Sequence, residues 1–131
     1  MDLLTVSLNL VDPGSDDHQL HIFRAPTNAH GGGVRLLEAF ATNGAATAAG
    51  TTFTLCMHKY SNAGTPAVNG TISDVLGGTA DYWADQVPKE FTLTAAYTFL
   101  DAGESLILDY QETAASAPTD CTVTCLFQVG N

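Results

Sequence analysis

The sequence predicts an all-β protein: a two-sheet antiparallel sandwich of the jelly-roll type, with about eight strands. Three observations carry that expectation. Apolar and polar residues alternate with period two in short runs, as in Leu4-Thr5-Val6-Ser7-Leu8-Asn9-Leu10 and Phe53-Thr54-Leu55-Cys56-Met57-His58. The runs are bounded by Gly, Pro, Asn and Asp, the residues that turns require. Thr, Val, Ile and aromatic residues fill the runs, as suits pleated, half-buried surfaces. A chain of 131 residues and 13.7 kDa buries about two-thirds of its unfolded surface, enough for one core without disulfide or metal staples. Neither an internal repeat nor a second composition zone divides it, so residues 1–131 read as one domain.

The first run, Leu4 to Leu10, ends at Asp12-Pro13-Gly14-Ser15-Asp16-Asp17, where Pro13 presets φ and Gly14 permits a positive one. That break suggests an N-terminal arm over 1–12 and a body over 18–130. His18 to Phe23 is a weaker second strand. A loop follows through Gly31-Gly32-Gly33, because three glycines are costly to order inside a strand. Val34 to Ala41 fits either a strand or two helical turns, since Leu36, Leu37 and Phe40 also keep helical spacing. Asn43-Gly44 marks a turn, and Thr52 to Tyr60 alternates cleanly. Ala67 to Leu76 reads as a strand interrupted at Asn69-Gly70 by a bulge or tight bend. Glu90 to Phe99 and Ser105 to Glu112, joined by Leu100-Asp101-Ala102-Gly103-Glu104, give the strongest hairpin signal in the chain. Cys121 to Val129 is the last strand. The immunoglobulin-like sandwich is the rival architecture, and the Cys…Trp…Cys spacing of its disulfide-bearing form is absent.

Charge excludes partners more firmly than it names them. Four Lys and Arg against fourteen Asp and Glu give a net −10. Nucleic-acid binding needs a basic stripe that displaces phosphate counterions, so no nucleic-acid partner is expected. The same charge repels an anionic membrane surface, and no run of 18 apolar residues offers a span. Met1-Asp2 and the interrupted strip behind it lack the basic start and unbroken apolar core of a signal peptide, so synthesis in a cytoplasm without secretion is expected. Three cysteines, Cys56, Cys121 and Cys125, are an odd number and argue against a disulfide framework. In a strand, Cys121 and Cys125 lie about 13 Å apart at ~3.3 Å per residue. A disulfide needs Cα atoms within ~7 Å, so these two cannot pair, and all three are expected as free thiols.

Candidate sites are few. His18, His21, His30 and His58 do not keep zinc-ligand spacing. Asp12, Asp16 and Asp17 lack the 1, 3, 5 pattern and following Glu of a calcium loop. No G-x-S-x-G or catalytic-cysteine context occurs, and Gly31-Gly32-Gly33 lacks the phosphate-loop framework. No cofactor, metal or catalytic residue is therefore expected, and the protein does not read as an enzyme. Tyr82 and Trp83 form either an aromatic sugar platform or, for Trp83, a plug at the end of the sandwich. The Leu4-Val6-Leu8-Leu10 strip could add as a strand to a neighbour's sheet edge, or it is an ordinary edge strand of the same domain.

From Gly33 to Gly130 the chain resembles a small jelly-roll domain of tailed-bacteriophage virion proteins. The resemblance lies in Ala45 to Leu55 (AATAAGTTFTL), Gly77 to Trp83 (GGTADYW), Pro88 to Leu93 (PKEFTL), Leu100 to Leu106 (LDAGESL) and the ending from Asp120 to Gly130. It covers about three-quarters of the chain, and its motifs shape the fold rather than a catalytic site. It implies a decoration or cement protein that binds the outer surface of a phage capsid and stabilises it. The implied partners are the major capsid protein and further copies of the chain, as a homotrimer, and the implied location is the virion. The alternative is a carbohydrate- or receptor-binding module of a phage tail or fibre, with Tyr82 and Trp83 as its platform. Low charge, at 14% against ~25% in typical domains, leaves apolar and Thr-rich surface for assembly contacts.

Overall fold

In the computed structural model, which describes residues 2–10, 16–26, 33–44, 53–61, 68–77, 83, 86–112 and 120–129, the alternating runs become strands. In chain order these are β1 (Asp2–Leu10), β2 (Asp17–Arg24), β3 (Val34–Thr42), β4 (Phe53–Tyr60), β5 (Val68–Thr71), β6 (Leu76–Gly77), β7 (Lys89–Glu90), β8 (Phe99–Leu100), β9 (Ser105–Glu112) and β10 (Cys121–Val129). A 3₁₀ turn, η1 (Ala95–Tyr97), precedes β8. One antiparallel sheet runs β1-β10-β3, with β7 and β8 pairing the two ends of β3 on its other edge. The second runs β2-β9-β4, with β5 and β6 placed likewise along β4. Taking β5 with β6 and β7 with β8 as two interrupted strands leaves eight. Their pairing is nested: first with last, second with seventh, third with sixth, fourth with fifth. That is a jelly roll, as the alternation predicts.

The two sheets pack through the residues that the pleat turns inward. Phe53, Leu55 and Met57 of β4 and Leu106, Leu108 and Tyr110 of β9 meet Leu36, Ala39 and Ala41 of β3 and Val123, Cys125 and Phe127 of β10. Burial of each large apolar side chain here contributes about 1.5–3 kcal/mol. Val34 to Thr42 is a strand, and its helical spacing has a local cause. Leu126 faces Glu38 while Phe127 faces Leu36, so Leu37 is an extra residue, a β-bulge. The bulge shifts the inward phase from Val34 and Leu36 to Ala39 and Ala41, which produces a three-residue step in an otherwise two-residue pattern. Asn69 is the extra residue of a second irregularity, because Lys59 faces Gly70 and Tyr60 faces Val68.

One long side of the sandwich is sewn shut. The chain between β5 and β6 meets the chain between β7 and η1: Asp74 N–H donates to Thr92 O (3.1 Å), Thr94 N–H to Ile72 O (2.6 Å), and Ser73 bridges Leu93. The other side carries the outer edges of β1 and β2.

Two expectations need correction. Residues 2–10 are not a detached arm: β1 pairs with β10 in an unbroken register from Asp2↔Val129 to Leu10↔Cys121, and Leu10 is buried. It is the first strand of the roll. The segment from Glu90 to Phe99 forms no hairpin with Ser105 to Glu112. β7 and β8 pair with β3 in the first sheet, while β9 pairs with β2 and β4 in the second. In a nested roll the sixth and seventh strands lie in opposite sheets, so the Gly103-containing loop crosses between sheets.

Three of the four Lys and Arg hold the chain from Thr98 into that crossing. Arg24 Nε donates to Gly103 O (3.2 Å), Arg35 Nη1 to Thr98 Oγ1 (3.4 Å), and Lys59 Nζ to Phe99 O (3.1 Å). Lys59 also pairs with Glu104 at 3.3 Å, and Glu104 accepts from Asp101 N–H. The fourth, Lys89, lies over the Trp83 ring at 5.9 Å.

Candidate functional site

The expected contact strip sits along the edge of the first sheet. Pleating points Leu4, Val6, Leu8 and Leu10 toward the sandwich interior, with coverage increasing along the strand. Leu4 is 37% exposed, Val6 and Leu8 are partly buried against the core, and Leu10 is 3% exposed. The side chains named by the sequence therefore serve the core first. What they leave open is the edge of β1, where the interior is incompletely covered beside Leu4, Val6 and Leu8.

The opposite face of the same strands was missed by sequence reasoning, which followed the apolar members of each alternation. Leu3, Thr5, Ser7 and Asn9 of β1 lie beside Gln128, Leu126, Thr124 and Thr122 of β10 in the register that pairs the two strands. These eight side chains include no ionisable group, in a chain of net charge −10. Leu3 is 59% exposed, and Ser7 and Thr124 share a hydroxyl hydrogen bond of 3.3 Å. The result is an uncharged, hydroxyl-rich surface over β1 and β10, bordered on β3 by the exposed Arg35 and Glu38 opposite Gln128 and Leu126. Its available signal was Thr and Ser at every outward position of Cys121-Thr122-Val123-Thr124-Cys125 and Leu4-Thr5-Val6-Ser7-Leu8. Only the fold places those two stretches side by side.

Among the described residues β1 and β2 each pair on one side only, and their outer edges differ. β1 pairs through without a register shift, and Asp2 is its only charged residue. β2 carries Asp17 and Arg24 at its ends, and its register with β9 breaks twice. Charges and bulges are the usual guards of an edge against further strand addition. β2 has both; β1 has neither beyond its first residue.

Trp83 takes the plug position. It is 1% exposed, with its ring edge-on to Phe53 at 5.6 Å, so it cannot serve as a sugar platform. Tyr82 lies outside the described residues. Among the histidines, His21 is exposed, the His18 side chain and His30 lie outside the description, and His58 sits in a polar network on the outer face of the second sheet. There its Nε2 lies 3.4 Å from Asp109 Oδ2 and its Nδ1 lies 3.2 Å from Thr71 Oγ1. With both ring nitrogens engaged, His58 joins β4, β5 and β9 rather than activating Cys56. Among the described residues no group of three His, Cys, Asp or Glu converges on a metal position. Asp12 lies outside the description, while Asp16 accepts from Glu112 N–H (2.7 Å) and Asp17 from Gln19 N–H (3.0 Å), ordinary backbone caps.

All three cysteines are buried free thiols. Cys121 and Cys125 face the core, and burial pushes both up to about 12. Cys56 points to the other face of β4, toward Ser73 O (3.5 Å), and burial raises it as well. Cys56 therefore stands on the wrong side of its sheet to reach either core cysteine. A thiol held protonated is a poor nucleophile. An open groove lies between the β3 bulge and the chain after β7, lined by Leu37, Glu38, Glu90, Phe91, Thr92 and Leu93. No helix among the described residues is long and apolar enough to cross a membrane.

In comparisons with known proteins, the chain matches no family model, no curated protein and no solved structure.

Proposed function

We propose that this chain is a virion structural protein that docks on the outer surface of a phage capsid, with the major capsid protein and other copies of itself as partners, and stabilises the shell without catalysis. The observation that supports the reading is the neutral face of β1 and β10. A protein of net charge −10 repels copies of itself and any acidic surface. Close packing in a repeating array needs a face from which that charge has been removed. Leu3, Thr5, Ser7, Asn9, Thr122, Thr124, Leu126 and Gln128 form such a face, and the acid excess elsewhere keeps coated particles soluble. Contacts made only with the assembled shell raise its stability by mass action.

The direct test is binding to capsids that lack this protein. Wild-type chain should co-sediment with them and raise their melting temperature. Thr122→Glu/Thr124→Glu, whose cross-strand neighbours Asn9, Ser7, Thr42 and Phe40 are uncharged, should fold normally and lose at least about tenfold in affinity, since an unpaired charge in a contact costs more than ~1.4 kcal/mol. If wild-type protein does not bind, or the doubly charged variant binds equally well, this reading is wrong.

A further inference from the structure

We propose that two copies of this chain pair through their β1 edges, antiparallel about a two-fold axis at Val6, so that the first sheet continues from one copy into the other. Three observations converge on a second copy as the occupant of that edge. The first is the sequence of the strand. Around Val6 it reads nearly the same in both directions, Leu4-Thr5-Val6-Ser7-Leu8. An isologous contact puts the same patch on both partners, so residue i meets j and j meets i. With the axis at Val6, Val6 faces its own copy, Leu4 faces Leu8 and Thr5 faces Ser7. Leu3 then faces Asn9. From Leu3 to Asn9 every inward position meets an aliphatic side chain and every outward position an uncharged one, while at the ends of the pair Asp2 faces Leu10.

The second observation is coverage. Leu4 is 37% exposed, and Val6 and Leu8 are only partly buried on the inward side of the edge. Those are the positions that the Leu8, Val6 and Leu4 of another copy would cover. The third is charge. Asp2 is the only charged residue of β1, so two chains of net −10 can approach here without bringing carboxylates together. The guarded β2 edge offers no such route: an antiparallel self-pair there would set Asp17 and Arg24 among bulged, irregular strands. Edge-to-edge pairing supplies main-chain hydrogen bonds, and the alternate side chains supply its register.

This deepens the self-association in the proposed function and rests on no contact with a shell. It also changes the stoichiometry, because a two-fold contact builds dimers rather than the homotrimer implied by the resemblance. The experiment is the solution mass of the full chain and two designed variants, by light scattering across a dilution series. Wild type should have twice 13.7 kDa. Thr5→Lys/Ser7→Lys sets lysine against lysine twice across the axis and should raise the dimer dissociation constant by roughly tenfold or more, because like charges directly opposite destabilise a strand pair. Thr5→Lys/Ser7→Glu sets lysine against glutamate twice in the same register and should restore the dimer. A wild type that is monomeric or trimeric overturns the proposal. So does a Lys/Lys variant that stays dimeric, or a folded Lys/Glu variant that falls apart. If either variant fails to fold, hydrogen exchange on wild type decides: the alternate amides of residues 2–10 that point away from β10 should lose protection on dilution below the dissociation constant while those bonded to β10 keep theirs, and protection of the outer set independent of concentration overturns the proposal. Capsid binding is measured separately, so loss of the dimer and loss of shell binding remain distinguishable.

Discussion

Replacing Lys59 with Met tests how the crossing between sheets is held. The Lys59 Nζ lies 3.3 Å from Glu104 Oε2, with the two side chains 11% and 9% exposed, and it also donates to Phe99 O. Removing one partner of a buried ion pair costs about 3–5 kcal/mol, because the other charge stays behind uncompensated. Here Glu104 keeps the Asp101 N–H, which places the expected loss for Lys59→Met near the lower end, about 3 kcal/mol. Unfolding entropy of ~2.1 cal/mol/K per residue gives about 0.28 kcal/mol/K for this chain, so the melting temperature should fall by about 11 °C. Glu104→Gln should cost less, about 2 kcal/mol, since a Gln carbonyl can still accept from Asp101 N–H and Lys59 keeps Phe99 O. The double variant should lose about 1–3 kcal/mol less than the sum of the singles, the signature of direct coupling. Thermal and urea unfolding of the four proteins complete the cycle. A drop below about 3 °C for Lys59→Met, or strict additivity, would refute the idea that this pair fixes the crossing.

Other outcomes follow from the core and its thiols. Cys121 and Cys125 are raised in the folded state from 9.0 to about 12. Their stabilising effect is therefore complete below pH 9 and lost as pH rises from 9 toward 12. Stability measured by urea unfolding should then fall by about 1.4 kcal/mol per pH unit for each thiol, and Cys125→Ala should remove one thiol's share of that slope. At pH 8 the native protein should react slowly with a thiol reagent, and the denatured chain should show three thiols at once; fewer than three would mean a disulfide. Gly33→Ala should cost more than about 3 kcal/mol or prevent folding, because the added Cβ would overlap the Leu100 carbonyl oxygen where β3 meets β8. Trp83 is the only tryptophan, so fluorescence reports on it alone. Its emission should be blue-shifted, resistant to acrylamide and unchanged by oligosaccharides, and Trp83→Ala should cost about 3–5 kcal/mol. Sugar-dependent quenching would reinstate the platform reading.

The parts legible in the sequence were those governed by local alternation. β1, β4, β9 and β10 stand where their apolar and polar residues alternate, and the inward sets Phe53-Leu55-Met57 and Cys121-Val123-Cys125-Phe127 are the residues that meet in the core. The errors arose where a long-range choice overrode a local signal. A Gly-containing loop between two alternating runs suits a hairpin, yet the nested pairing sends β8 and β9 to different sheets, and Arg24, Arg35 and Lys59 bind the chain from Thr98 to Gly103 that leads into and makes the crossing. Pro13 and Gly14 do mark a break in the chain, but a break does not say whether the strand before it returns to the body. The pairing of β1 with β10 joins opposite ends of the chain and leaves no local trace. The same holds for the neutral face: Thr5 and Thr124 are unremarkable apart, and become one surface only when the first strand meets the last.

If this jelly roll coats a capsid through the uncharged face of β1 and β10, as we propose, it stands on the outside of the particle. A cryo-electron microscopy map of the native phage particle tests it most directly. Density for the fold is expected on the outside of the shell, with Thr122, Thr124, Leu126 and Gln128 turned toward the major capsid protein. Density for the fold on the tail alone, none on the particle, or a shell contact made instead through the outer face of β4 and β9 would contradict it.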